Sequence, residues 1–262
     1  MFVKAYRVAA QWTRPVVVLE RGPDGAVGTG CGTFIILNSE GWVATAAHVL
    51  FARPDARLTD RCVWFTTDAI KGNFHIDLRA DLAIGKLSGL DLSGIREYPK
   101  FGNGELTPGT SLSHWGFHSH ATIKAAFDAQ TRQFRVDSFP LIPLLPVAGM
   151  FTAPMLMGPT NNLSFAGPLD GGSGAKFLLT TAHILEGQSG GPVVDTEGHL
   201  WGLNNMGIRR YTGQKAEITD PRASAEDRAM HTPQFVNYSL AAHVENLIQL
   251  MSKHGVRMEE NT

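Results

Sequence analysis

Apolar residues in this chain come in short runs, each closed within a few positions by a turn. Residues 16–19, 33–37, 42–45, 62–65 and 82–87 have the length and the β-branched content of strands. Gly22-Pro23-Asp24-Gly25 and Asn38-Ser39-Glu40-Gly41 separate the first of them with residues that favour tight turns. The same rhythm returns at 111–115, 176–180, 192–195 and 199–203. Many short strands with few helical periods predict an all-β barrel or sandwich. One segment departs from that pattern. Between 239 and 253, Leu240, Val244, Leu247, Ile248 and Met251 recur at three- and four-residue steps, predicting a helix with Ser239 as cap and Gly255 as stop. The stretch 139–175 is apolar but interrupted by Pro140, Pro143 and Pro146, which exclude a regular helix. It reads as a long extended loop, able to cross the strands or to gate a site. Residues 209–234 read as a second long, charged loop.

Composition narrows the class without naming it. The 262 residues are 43% apolar and 18% charged, with a net charge of −1. That balance suits one globular unit with a sizeable core. It gives no electrostatic reason to expect nucleic acid or an anionic membrane as a partner. The N-terminus is broken by Lys4, Arg7 and Arg14, so it does not read as a signal peptide, and no run is long and apolar enough for a membrane helix. Two cysteines in such a length, Cys31 and Cys62, fit a reducing compartment, and a cytoplasmic location is expected.

The chemistry concentrates in Gly187-Gln188-Ser189-Gly190-Gly191-Pro192. A serine between glycines sits where backbone must crowd a reacting atom, since glycine reaches angles closed to other residues. Such a turn can aim the N–H groups of Gly187 and Ser189 at a developing oxyanion. Upstream lie Thr45-Ala46-Ala47-His48 and Asp81-Leu82-Ala83-Ile84. A serine hydroxyl needs a neighbouring base, and the base needs an acid to fix its tautomer. His48, Asp81 and Ser189 supply the three roles in the order base, acid, nucleophile. Asp77, four residues before Asp81, is the rival acid. His114, His118 and His120 lack nearby Cys, Asp or Glu, so they read as loop histidines; no metal and no cofactor are expected.

At these residues the chain resembles the trypsin/chymotrypsin-like serine peptidases, and within them most the HtrA-type bacterial branch. The stretch from Gly28-Thr29-Gly30-Cys31-Gly32-Thr33 to His48 is similar to that family's strand pair and His-bearing loop. Gly198-His199-Leu200-Trp201-Gly202-Leu203-Asn204 resembles the strand after the nucleophile. The likeness covers most of 15–254, with a poor match near 117–172. It implies two six-stranded antiparallel β-barrels and a C-terminal helix: 1–108 with His48 and Asp81, 109–238 with Ser189, and 239–262 as helix and tail. The peptide-binding PDZ domain of many HtrA-type proteins is not expected after that helix. A protein or peptide substrate is implied, with a regulatory partner protein as a further possibility. The specificity pocket would draw on His183, Asn204, Asn205, Met206 and Tyr238. His183 stands where trypsins place an acid, so selection for Lys or Arg is not expected. Gln188 stands where the zymogen branch places a carboxylate that pairs with a new N-terminus, so activation by that pairing is not expected. The half-cystine partner that Cys31 would have in many relatives falls on Val49, which leaves two free thiols.

Two other readings stay open at this point. Gly187-Gln188-Ser189-Gly190-Gly191 also fits the nucleophile turn of an α/β-hydrolase esterase, whose acid and histidine would have to follow the serine. The chain could also be a peptidase fold held latent until a partner or a loop releases it.

Overall fold

The computed structural model describes residues 1–51, 58–65, 73–118, 124–138, 143–157, 163–165, 174–216 and 232–259. A helix, α1 (Val3–Trp12), leads into a six-stranded sheet of β1 (Thr13–Arg21), β2 (Val27–Ile36), β3 (Trp42–Ala46), β4 (Asp60–Phe65), β5 (Phe74–Asp77) and β6 (Leu82–Lys86). Its strand order is β4-β1-β2-β3-β6-β5. A single turn, α2 (Ala47–Leu50), follows β3. The second sheet contains β7 (Ser111–Phe117), β10 (Leu144–Met157), β11 (Leu163–Phe165), β12 (Ala175–Thr180), β13 (Pro192–Val194), β14 (Leu200–Ala216) and β15 (Thr232–His243). Between β7 and β10 lies a separate hairpin, β8 (Lys124–Asp128) and β9 (Gln133–Ser138).

The second sheet runs β11-β10-β12-β15-β14-β13-β7, and β10 also pairs with β7. Six of its strands therefore close into a hydrogen-bonded ring, with β11 added outside β10. Closure removes the exposed edges that an open antiparallel sheet would carry. The first sheet curls as a six-stranded half-barrel beside it. This is the chymotrypsin-like architecture expected. Every ladder in the three sheets is antiparallel. The esterase alternative needs a parallel sheet with helical crossovers, so the fold removes it.

Burial explains why the runs seen in sequence became strands. Phe34, Ile36, Val43, Leu82 and Ile84 are buried inside the first sheet, and one apolar cluster continues from them to Phe177, Leu203 and Leu240 of the second. A smaller cluster of Leu112, Phe151, Leu178, Val193 and Ala241 fills the closed ring. Each fully buried side chain of this size contributes about 1.5–3 kcal/mol relative to exposure.

Three expectations need correction. The helix expected at 239–253 starts later: α3 spans Val244–Lys253, because 239–243 complete β15. There Leu240, Ala241 and Ala242 are buried and pair with β12 and β14, and burial between two strands outweighs the helical spacing. His243, not Ser239, caps the helix, its ring accepting from the Glu245 N–H at 3.1 Å. The long loop expected at 139–175 contains β10, whose two halves pair with different strands: Pro146 lies opposite Trp115 of β7 and Pro154 opposite Leu178 of β12. The charged loop expected at 209–234 begins and ends as the β14–β15 ladder. Residues 139–142, 158–162, 166–173 and 217–231 lie outside the described residues. Helix α1 was not legible in the sequence; its Ala5, Ala9 and Trp12 face is fully buried.

Helix α3 rests on β6, β12, β14 and β15 through Val244, Leu247 and Met251, and so joins both sheets. Its stop is the expected Gly255, with φ of 68°. The Val256 N–H reaches Met251 O at 2.9 Å and the Gly255 N–H reaches Ser252 O at 3.2 Å, the paired bonds of a Schellman cap. A side chain at this left-handed position is strained. Gly255→Ala is predicted to lower stability by about 1–2 kcal/mol. A thermal melt should show the midpoint falling by roughly 2–8 °C; an unchanged midpoint would mean the cap is not formed.

Candidate active site

Strand register brings the first two residues together. Ala46 lies opposite Leu82 in the β3–β6 ladder, so the next residues along, Ala47 and His48, leave the sheet beside Asp81. The Ala47 N–H donates to Asp81 O at 3.0 Å. The His48 N–H donates to one Asp81 carboxylate oxygen at 2.8 Å, and His48 Nδ1 meets the other at 2.6 Å. A carboxylate only accepts, so Nδ1 carries the hydrogen of this contact, and the neutral ring is the tautomer with its lone pair on Nε2. Asp81 holds this position with φ of 52°, a left-handed backbone that costs a non-glycine residue free energy. Its backbone carbonyl and both carboxylate oxygens are engaged by the two residues it faces, which offsets that strain.

The rival acid is occupied elsewhere. Asp77 closes a local turn, accepting from the N–H groups of Arg79 at 2.9 Å and Ala80 at 3.3 Å.

Ser189 sits on a turn that belongs to the second barrel but is docked on the first. Ser189 O accepts from the Thr33 N–H at 2.9 Å, and the Thr33 hydroxyl donates to Gly187 O at 2.9 Å. That hydroxyl also accepts from the Phe117 N–H at 3.0 Å, so one side chain of β2 links the turn to β7. A Cβ on Gly190 would lie 2.2 Å from Thr33 O and 2.8 Å from Ala46 N, two residues before His48. Only glycine permits an approach this close, and its φ of 82° demands the same residue.

The Ser189 hydroxyl donates to Asn205 O, 3.4 Å away, and makes no hydrogen bond to His48. The N–H groups of Gly187 and Ser189 donate to no partner among the described residues. Gln188 is wholly buried. Its side-chain oxygen accepts from the Leu185 N–H at 2.8 Å and its nitrogen donates to Leu145 O at 2.9 Å, a neutral anchor that uses no chain terminus.

The residues expected around a specificity pocket divide. His183 is exposed, Met206 is 45% exposed, and Asn205 and Tyr238 are half-buried. Asn205 is the bulged residue between the Asn204 and Met206 pairings of β14, which leaves its backbone outside the ladder. Ile184 lies against Gly207 across from it. Asn204 is the correction: it is fully buried, and its side chain lies in the barrel interior rather than on a groove. Its Oδ1 meets His114 Nδ1 at 2.6 Å and its Nδ2 donates to Trp115 O at 3.0 Å.

His114 is likewise no loop histidine. It lies in β7, fully buried, with Nε2 at 2.9 Å from the Thr180 hydroxyl. Nothing in the spacing of His114, His118 and His120 signalled this, because a strand alternates inward and outward only once its register is known. His118 is buried at the end of β7 and His120 lies outside the described residues. The thiols of Cys31 and Cys62 are both free. They lie on strands either side of β1, opposite Val17 and Leu19, and burial pushes the Cys31 thiol up to about 12.

With this geometry in place the comparisons with known proteins decide the family. The model of the trypsin-like peptidase domain matches residues 30–203. This chain belongs to the trypsin-like peptidase family. Its class of chemistry is that of a serine peptidase. No curated protein matches the sequence. Among solved structures, the active form of the Rv3671c protease from M. tuberculosis aligns with 97% of this chain and 86% of its own, at 14% identity and a TM-score of 0.53. The HtrA-type protease AlgW with a decapeptide aligns with 97% of this chain and 68% of its own, at 16% identity and a TM-score of 0.55. AlgW with a tripeptide gives 96% and 62%, at 16% and 0.53. At such identities these structures speak for the fold alone. Among the described residues no helix is long and apolar enough to cross a membrane.

Burial pulls the His114 imidazole from 6.5 down to about 4, against the hydrogen bond to Asn204 that favours its charged form. Unfolded His114 therefore binds a proton that the folded protein excludes between those two values. Its neutral burial is fully tolerated above 6.5, and stability drains away as pH falls toward about 4. The expected loss is roughly 3 kcal/mol across that window. Denaturant unfolding measured from pH 7 to pH 4 should show it, and His114→Asn should flatten the slope. Equal slopes in both proteins would refute the assignment.

Proposed function

We propose that this chain is a serine endopeptidase in which His48 is the general base, Asp81 its orienting acid and Ser189 the nucleophile. The observation that carries the reading is the two-point clasp of Asp81 on His48, 2.6 Å to the ring and 2.8 Å to the backbone, on the strand end against which the Ser189 turn is docked. In the neutral ring the clasp puts the hydrogen on Nδ1, so the lone pair a base needs is the one on Nε2. Rotation of the Ser189 side chain away from Asn205 O would present its hydroxyl to that nitrogen; such contacts are often long before substrate is bound. Ser189 then attacks the scissile carbonyl, and His48 takes the hydroxyl proton and passes it to the leaving amine. The N–H groups of Gly187 and Ser189 receive the oxyanion. The acyl-enzyme is released by water activated through the same imidazole. Substrate peptide would lie extended along the freed backbone of Asn205, with His183, Met206 and Tyr238 around the side chain before the cleaved bond.

One observation favours a second reading, that the enzyme rests in a latent state. The nucleophile is turned toward a backbone carbonyl rather than toward its base. A partner protein or the substrate itself would then complete the site. Two unbridged cysteines support a reducing compartment, so we place the protein in the cytoplasm.

Ser189→Ala should lower turnover of a cleavable peptide by about a millionfold, and Asp81→Asn by about ten thousandfold with the fold intact. Reaction of the purified protein with an alkyl fluorophosphonate, located by mass spectrometry, separates the readings. Rapid labelling at Ser189 with no partner present excludes latency. Labelling elsewhere excludes Ser189 as nucleophile.

A further inference from the structure

The ring of the second barrel encloses a chain of polar side chains that the proposed reaction does not use. Thr180, Ser239, His114 and Asn204 are all fully buried. Ser239 Oγ lies 2.7 Å from Thr180 Oγ1, which lies 2.9 Å from His114 Nε2. His114 Nδ1 then lies 2.6 Å from Asn204 Oδ1. The directions of these bonds follow from one end. Asn204 Nδ2 faces the Trp115 carbonyl, which can only accept, so Oδ1 is the atom turned to His114. An amide oxygen cannot donate, so His114 Nδ1 carries the hydrogen. Burial keeps the ring neutral, so Nε2 accepts from the Thr180 hydroxyl, and Thr180 accepts in turn from Ser239. Each of the four side chains thus makes at least one hydrogen bond inside the ring.

The far end of the chain is the nucleophile turn. The backbone of Asn204 grips it twice: the Gly190 N–H donates to Asn204 O at 2.7 Å, and the Asn204 N–H donates to Gly191 O at 2.7 Å. A Cβ on Gly191 would lie 2.0 Å from Trp115 O, the same carbonyl that the Asn204 side chain holds. The residue after Asn204 is Asn205, whose carbonyl faces Ser189 Oγ. Asn204 thus fixes the turn that carries Ser189 from behind, while Thr33 fixes it from the front.

We propose that His114, through Asn204, is a positioning residue that sets the placement of the Ser189 turn. This rests on the reading of Ser189 as nucleophile. His114 touches no reacting atom. It holds the Asn204 side chain in one orientation, and the Asn204 backbone passes that orientation to Gly190 and Gly191. Reactive geometry is steep in distance: a displacement of about 1 Å caused from afar can cost about a hundredfold in rate.

The test compares wild type with His114→Phe, His114→Asn and Thr180→Val, each checked for folding by circular dichroism. The readouts are the rate of fluorophosphonate labelling at Ser189, and kcat and KM on one cleavable peptide. Asparagine can place an N–H near the position of Nδ1 and phenylalanine cannot. His114→Phe is therefore expected to slow labelling and kcat by about a hundredfold with KM within about twofold, and His114→Asn to recover most of that loss. Thr180→Val deletes only the far hydroxyl and should give an intermediate slowing. It also keeps the proposal testable should the phenylalanine variant not fold, because labelling at the wild-type rate in Thr180→Val and His114→Asn alike, with the phenylalanine variant folded and equally fast or not folded at all, would overturn it. A melting midpoint that falls in all variants while the folded protein labels normally would likewise reduce His114 to barrel filling. Wild type that carries the fluorophosphonate on another residue would instead sink the nucleophile assignment, which distinguishes the two failures.

Discussion

Thr33 is the residue on which the site depends. Its backbone N–H holds Ser189 O, its hydroxyl holds Gly187 O, and the same hydroxyl receives the Phe117 N–H. A turn belonging to one barrel is thereby fastened to a strand of the other. Without that fastening the barrels could each be stable and the site would still not exist. Gly190 makes the contact possible, since a single added carbon would overlap both Thr33 O and Ala46 N. The approach of the Ser189 turn to the strand end that leads to His48 is thus a packing result.

The other half of the site is a consequence of register. Antiparallel pairing of Ala46 with Leu82 puts Asp81 next to the residues that leave β3, and a slip by one position would turn its side chain to the opposite face. The backbone strain at Asp81 is retained because His48 and Ala47 use every oxygen it offers. Behind the nucleophile, the polar chain from Ser239 to Asn204 adds a third support. The Thr33 contacts and the polar chain lie in buried interior, where competing water is scarce, whereas the Asp81 clasp is partly open, with the His48 side chain 47% exposed.

Much of this was readable from the residues, and the remainder failed for identifiable physical reasons. The short apolar runs gave the strands because their burial is one-sided and local. The serine and histidine motifs stood out because glycine clusters and small residues have few other uses at such density. The helical spacing starts five residues before α3 because Leu240 belongs at once to that spacing and to a buried strand, and only the ladder partners of β15 decide between them. The stretch holding β10 does not read as a strand because proline usually ends one; here Pro146 and Pro154 face different partner strands at different points along its length. The place of Asn204 after the nucleophile points to a groove residue, but its side chain is buried against His114 and Trp115. Thr33 gave no signal at all. A threonine in a β-branched strand is ordinary, and its role appears only when two chain segments more than a hundred and fifty residues apart are brought together.

The most direct measurement is a crystal structure of the protein inactivated by a peptidyl phosphonate. Phosphorus bonded to Ser189 Oγ is predicted, with the phosphonyl oxygen within hydrogen-bonding distance of the Gly187 and Ser189 N–H groups. His48 Nε2 should lie within the same reach of the bonded oxygen, its ring still clasped by Asp81. A phosphonate carried by any other side chain, or a Ser189 adduct with the His48 ring turned away and unpaired, would contradict the account.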